Sequence, residues 1–91
     1  GEVALSVGKA LKDLSSDRQV LVVTHLAQVA AYADTHIGVT KSETNEGVDV
    51  EVVTLDDTQR VTEISRMLSG SPDSKNAQKH AVELIAASRS Q

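Results

Sequence analysis

Thr24 and His25 are the residues of this 91-residue chain whose types and placement most invite chemistry. They follow Val20-Leu21-Val22-Val23, an aliphatic run that predicts a strand over 19–24 buried on both faces, as in a parallel sheet covered by helices. In open α/β sheets, ligands bind outside the carboxyl ends of the strands. A titratable imidazole at such an end can donate a hydrogen bond to a phosphate oxygen or orient an attacking water. The competing reading of His25 is structural, a single histidine beside a strand. Thr24 can hydrogen-bond the neighbouring backbone and fix the loop, or simply end the strand.

Other candidates resolve into ordinary structure. Gly8-Lys9 superficially resembles a phosphate-binding loop, but the glycine required five residues earlier would sit at Val3, and Ala10 stands where a magnesium-binding Ser or Thr belongs. His25, His36 and His80 are not at metal-ligand spacing, and with no cysteine there is no thiolate site, so no metal centre is expected. His36 reads as the start of an exposed strand and His80 as a mid-helix surface residue. Asp56-Asp57 reads as a helix-capping pair rather than a cation site. Neither a Gly-x-Ser-x-Gly elbow nor a carboxylate dyad is present.

Six elements must position the Thr24-His25 pair. Val3, Val7, Ala10, Leu11 and Leu14 recur at helical spacing over 3–14, and Ser15-Ser16-Asp17 breaks that helix before the strand. A helix from Leu26 to Ala33 presents Leu26, Val29, Ala30 and Ala33 on one face. Ile37 and Val39 begin a strand ending near Ser42. Asn45-Glu46-Gly47 supplies a turn, and Val48, Val50 and Val52 alternate in a second strand, giving an antiparallel hairpin exposed on one face. Asp57 or Thr58 can cap a helix whose apolar face is Val61, Ile64, Ser65 and Leu68, with Gly70 ending it. Ser71-Pro72 fits the cap and first turn of a last helix carrying Ala77, Ala81, Leu84 and Ile85. One central strand cannot make a sheet, so its hydrophobicity implies neighbours that this chain does not supply.

Composition narrows the function classes. Ninety-one residues make at most one small domain, and Tyr32 is its only aromatic, so an aliphatic core gains little area per residue. That predicts marginal stability or a surface that packs on more protein. The longest apolar run, Val29–Ala33, is far short of the ~20 residues needed to span a bilayer, and no charged-then-apolar leader opens the chain. A soluble, intracellular protein is the expectation. The net charge of −4 is uneven: residues 1–57 carry −6 and residues 58–91 carry +2. Phosphate-backbone binding wants clustered cations. Only Arg60, Arg66, Lys75, Lys79 and Arg89 offer a weak basic face, which reads first as ordinary solvated helix charge.

Val20-Leu21-Val22-Val23-Thr24-His25-Leu26-Ala27-Gln28-Val29-Ala30 resembles the last nucleotide-site strand and switch-histidine loop of RecN-type DNA repair ATPases, SMC-like relatives of the ABC ATPases. The likeness extends through Ala33-Asp34 and the hairpin to Arg60-Val61-Thr62-Glu63-Ile64-Ser65-Arg66-Met67-Leu68-Ser69-Gly70. Gly1-Glu2 and Val7-Gly8-Lys9-Ala10-Leu11 look like the end of an Asp-containing loop and its following helix. The resemblance implies an α/β fold: the carboxyl-terminal fragment of a P-loop ATPase head, with a central buried strand, an antiparallel hairpin and flanking helices. Residues 1–57 would be the helix, strand, switch loop and hairpin of this incomplete domain, and residues 58–91 its terminal helices. His25 matches the family's switch histidine, implying a catalytic contact to the γ-phosphate, with His25 and Thr24 as nucleotide-binding residues.

ATP and Mg2+ would bind the complete head and not this part alone, which lacks the Walker A, signature and Walker B motifs and is expected to be inactive by itself. The implied partners are the amino-terminal lobe, a second head paired across ATP, and DNA contacted through the full-length protein, with no membrane. The implied setting is the cytoplasm, on the nucleoid when DNA is bound, in double-strand break repair and recombination. Two other classes are an interaction module with an aliphatic docking face, for which His25 is dispensable, and a small nucleic-acid-binding domain using the basic terminal helices. The acidic first two thirds and the absence of stacking aromatics count against the latter.

Overall fold

Small side chains let the helices of this chain approach closely, and that approach defines the architecture. The computed structural model describes residues 1–71 and 73–90, in the order α1 (Glu2–Leu14), α2 (Ala27–Ala30), β1 (Ile37–Thr44), β2 (Gly47–Thr54), α3 (Asp57–Ser69) and α4 (Lys75–Arg89). The core lies where the single turn of α2 meets α3 and α4. Ala27, Ala30, Ala31, Ile64, Ala81 and Ile85 bury together, flanked by half-buried Val61, Met67, Leu68 and Leu84. The apolar faces expected for the last two helices are the faces that pack. Gly8 in α1 faces Tyr32, just beyond α2. A Cβ on Gly8 would lie 2.5 Å from Tyr32 Cδ2 and 3.0 Å from the Gln28 carbonyl oxygen, so α1 reaches this distance only with glycine there.

Helix ends follow their caps. Asp56, rather than Asp57 or Thr58, opens α3: its carboxylate accepts from the Gln59 backbone N–H at 2.8 Å, while Gln59 Oε1 accepts from Asp56 N–H at 2.9 Å. This reciprocal box satisfies two donors that the helix itself cannot, and Asp57 lies inside the first turn, where its charge suits the helix dipole. Gly70 ends α3 in the left-handed region (φ 76°). The last helix begins later than Ser71: its N-cap is Ser74, whose hydroxyl accepts from Ala77 N–H at 3.3 Å. The Ser71 hydroxyl accepts instead from the Asp73 N–H two residues on, a turn geometry that competes with capping. Pro72 lies outside the described residues.

β1 and β2 pair antiparallel from Ile37↔Thr54 to Thr44↔Gly47, leaving Asn45-Glu46 as a two-residue turn. Neither turn residue has positive φ, so this is not the primed turn usual for such loops; Gly47 (φ 133°) absorbs the twist instead. Solvent on one face was the expectation, yet both faces lie open. The register puts Ile37, Val39, Val48, Val50 and Val52 on one face, and all five are exposed.

The central strand is the main correction. Residues 19–24 belong to no strand, with Leu21 85% and Val23 97% exposed. A parallel strand is stable only between neighbours that supply hydrogen bonds and helices that cover its faces. The only sheet among the described residues is the hairpin, and it does not pair with this segment. The helix expected over Leu26–Ala33 is reduced to the four residues of α2, with Ala31 and Tyr32 continuing as a turn and Leu26 left exposed. The chain is thus α/β, with a two-stranded antiparallel sheet and flanking helices. No helix among the described residues is long and apolar enough to cross a membrane.

Candidate functional site

The His25 loop is tied down just past its histidine. Thr24 Oγ1 accepts a hydrogen bond from the Leu26 backbone N–H at 3.0 Å, a short side-chain turn around His25. Leu26 is extended (φ −97°, ψ 116°), and its carbonyl accepts from Ala30 N–H at 3.0 Å, starting α2. Thr24 therefore fixes the loop through the neighbouring backbone. His25 itself is exposed. Its ring stands at the surface, two residues before a helical turn whose Ala27, Val29 and Ala30 are buried.

The other end of this segment is held by a residue whose role the sequence reading missed. Arg60, on the first turns of α3, is 5% exposed. Its Nη2 lies 3.2 Å from the Ala30 carbonyl oxygen, 3.0 Å from that of Ala31 and 2.6 Å from that of Ala33. Ala30 is the last residue of α2, its carbonyl also accepting from Ala33 N–H at 3.1 Å, and Ala31 and Ala33 lie just beyond; a cation at this end complements the helix dipole. Ser88 of α4 lies with its hydroxyl 2.7 Å from the Ala31 and Ile85 carbonyl oxygens and can donate to either. The end of α2 is thus stapled to both terminal helices.

A cavity of about 220 Å³ sits beside this staple, lined by Lys12, Tyr32, Asp34, Arg60, Ser88 and Arg89. Lys12 pairs with Asp34 across it, linking α1 to the segment after α2. Burial lowers the Arg60 pKa from its ordinary value, and nearby Arg89 lowers it further, while Asp57 and Asp34 pull the other way. An arginine keeps its charge despite such a shift. His36 is also pushed down, first by burial and then by Arg60, against an opposing effect of Glu63. His36 Nδ1, Arg60 Nε and Ser65 Oγ are buried without hydrogen-bond partners among the described residues. A larger open groove of about 450 Å³ runs between α1 and α4, with Leu5, Lys9, Tyr32, His80 and Leu84 in its walls. Neither hollow includes His25.

The remaining candidates separate. Gly8-Lys9 lies within α1, as its helical pattern implied. His36 is a boundary residue immediately before β1, and His80 is exposed on α4. Among the described residues, no three His, Asp or Glu side chains converge as metal ligands would. The weak basic face loses three of its five members: Arg60 is buried, Arg66 is bonded to Glu63, and Arg89 lies 3.7 Å from Asp57. Arg60 was visible as an anomaly all the same. It stands four residues before Ile64, hence on the apolar stripe of its helix, where a charged side chain must find partners.

No family model matches the chain. Compared with curated proteins, it is 43% identical over 89 residues to the DNA repair protein RecN of Streptomyces coelicolor, covering 98% of this chain and 16% of that protein. The RecN of Mycobacterium leprae is 44% identical over 89 residues, and that of Rickettsia conorii 45% identical over 85. The chain spans 14–16% of the length of such relatives. Identity at this level over nearly the whole of the chain places it in the RecN family, as a segment of that sequence.

Proposed function

We propose that this chain is the carboxyl-terminal part of the ATP-binding and hydrolysing head of a RecN-type protein acting in DNA double-strand break repair and recombination. In this reading His25 is the switch histidine of a composite ATP site formed between two paired heads. The supporting observation is the exposure of His25 on a loop that Thr24 tethers on one side and α2 on the other. A neutral imidazole so held donates one hydrogen bond to a phosphate oxygen or orients a water, without the entropy cost of ordering a free loop.

ATP, when bound with Mg2+, supplies the transferable phosphoryl group. The residues present fit one contact of such a site and do not enclose a nucleotide, since neither hollow reaches His25. The amino-terminal lobe and the second head would provide the rest, and DNA would be met through the full-length protein. The protein would work in the cytoplasm, on the nucleoid when DNA is bound. Exposed Leu21, Val23 and the hairpin valines fit a segment that packs on the missing lobe. The same surface supports a second reading, a non-catalytic interaction module.

The test is ATP hydrolysis and ATP binding by the full-length protein carrying this segment, with and without His25→Ala. Hydrolysis that falls at least about tenfold, with nucleotide binding largely kept, supports the switch role. Hydrolysis indifferent to His25→Ala leaves the interaction module as the better account.

A further inference from the structure

The loop that carries His25 is held from a distance by an arginine outside any nucleotide contact. Thr24 and Leu26 fix the amino-terminal side of α2, and Arg60 holds the carbonyls of Ala30, Ala31 and Ala33 on its far side. Only one helical turn separates the two anchors, because α2 is four residues long. A turn this short has little internal stability of its own, so its orientation is set by whatever grips its ends. The grip here is charge-assisted, buried and comes from α3, with Ser88 of α4 sharing the Ala31 oxygen.

We infer that Arg60 is a positioning residue for His25: by clamping the carbonyl end of α2 to α3, it fixes where the imidazole stands relative to a bound phosphate. The inference rests on the reading of His25 given above. Arg60 touches no reacting atom in this account. It acts through α2, whose turn is rigid between its two tethers, and a shift of about 1 Å at a contact of this kind costs up to a hundredfold in rate. The Nε of Arg60 is buried and unpartnered among the described residues, so the guanidinium is committed to the carbonyls through Nη2.

The experiment uses the full-length protein carrying this segment, as wild type, Arg60→Met, Arg60→Lys, His25→Ala and the double variant His25→Ala/Arg60→Met. Arg60→Met should lower kcat for ATP hydrolysis about tenfold or more, leave KM little changed, and add nothing once His25 is already alanine. Arg60→Lys, which keeps the charge but not the planar donor group, should recover part of the loss. Amide hydrogen exchange should rise across residues 26–33 in both Arg60 variants while α3 and α4 stay protected. Should Arg60→Met not fold, Arg60→Lys in the two His25 backgrounds carries the same comparison. An equal loss in both backgrounds, an unchanged kcat, or exchange that rises through α3 and α4 alike would overturn the positioning role. Unchanged hydrolysis in His25→Ala alone would instead remove the histidine reading, and the inference with it.

Discussion

Replacing Gly8 by alanine sets two effects of known size against each other. In an open helix interior the change stabilises by about 1 kcal/mol, because glycine gives up the most backbone freedom on folding. At Gly8 the new methyl would stand 2.5 Å from Tyr32 Cδ2, 3.0 Å from the Gln28 carbonyl oxygen and 3.1 Å from Tyr32 Cε2. Carbon atoms rest about 3.5–4.0 Å apart, so the ring must retreat by about 1 Å or α1 must lift away. The ring is buried although it borders both hollows, and the Gln28 oxygen is backbone that cannot yield without moving α2. Overpacking of this kind costs about 1–3 kcal/mol, which exceeds the helix gain. Gly8→Ala should therefore destabilise the chain by about 1 kcal/mol. The assay is urea unfolding followed by far-ultraviolet circular dichroism, with the fluorescence of Tyr32, the only aromatic residue, reporting locally. For a domain of this size that loss lowers Tm by about 4–8 °C. In a Tyr32→Ala background most of the penalty should vanish, since two of the three close contacts are to that ring. A higher unfolding midpoint for Gly8→Ala in the wild-type background would refute the claim that this contact sets the distance of α1.

Three further outcomes are expected. Asp56→Ala should cost about 1 kcal/mol by removing the capping box of α3, and Asp56→Asn much less, as read from urea midpoints at neutral pH. His36 has a folded-state pKa below its ordinary 6.5, so its neutral form is favoured on folding; stability should be full above pH 6.5 and fall as pH drops below it, and the part of that fall due to His36 should be absent in His36→Gln when midpoints at pH 7.5 and 5 are compared. Val23→Lys, at a side chain 97% exposed, should change the stability of this chain by no more than about 0.5 kcal/mol yet markedly destabilise the full-length protein in a thermal melt; equal tolerance in both would refute burial of this segment against neighbouring strands.

Local rules were readable where local chemistry decides. The stripe Ile64, Ser65 and Leu68, the face Ala77, Ala81 and Ile85, and the glycine stop at Gly70 all follow from spacing and backbone preference, and they stand in the structure as read. Cap positions shifted by one to three residues because several serines and aspartates compete for each helix start, and the side chain able to reach the third amide wins. The strand over 19–24 failed for a different reason. Its aliphatic run encodes burial, but burial of a strand is a property of its neighbours, and the run cannot state whether they are present. Arg60 was missed because a cation on an apolar stripe signals a buried partner without naming it. The partners are main-chain carbonyls some thirty residues earlier in the chain, which carry no signature in the side-chain sequence.

These differences divide the chain into a closed part and an open part, and the division bears on how the site would work. The closed part is the corner of α2, α3 and α4, where Ile64 is fully enclosed and every carbonyl that Arg60 meets is already satisfied. The open part is the aliphatic segment Leu21–Val23 and the hairpin face of Ile37, Val39, Val48, Val50 and Val52, which an antiparallel sheet would ordinarily turn toward a core. His25 lies at the junction, with the open run before it and the closed corner after it. A loop gripped only on its corner side keeps its anchor while the open side is still free to respond to what packs there. Under the proposed reading, the arrival of neighbouring strands would complete the support of His25 from the Val20–Val23 side, so that the imidazole is fully fixed only in the assembled head. Val23→Lys and Arg60→Met then attack the same histidine from opposite sides: the first should act only in the full-length protein, the second on the exchange of residues 26–33 in either setting.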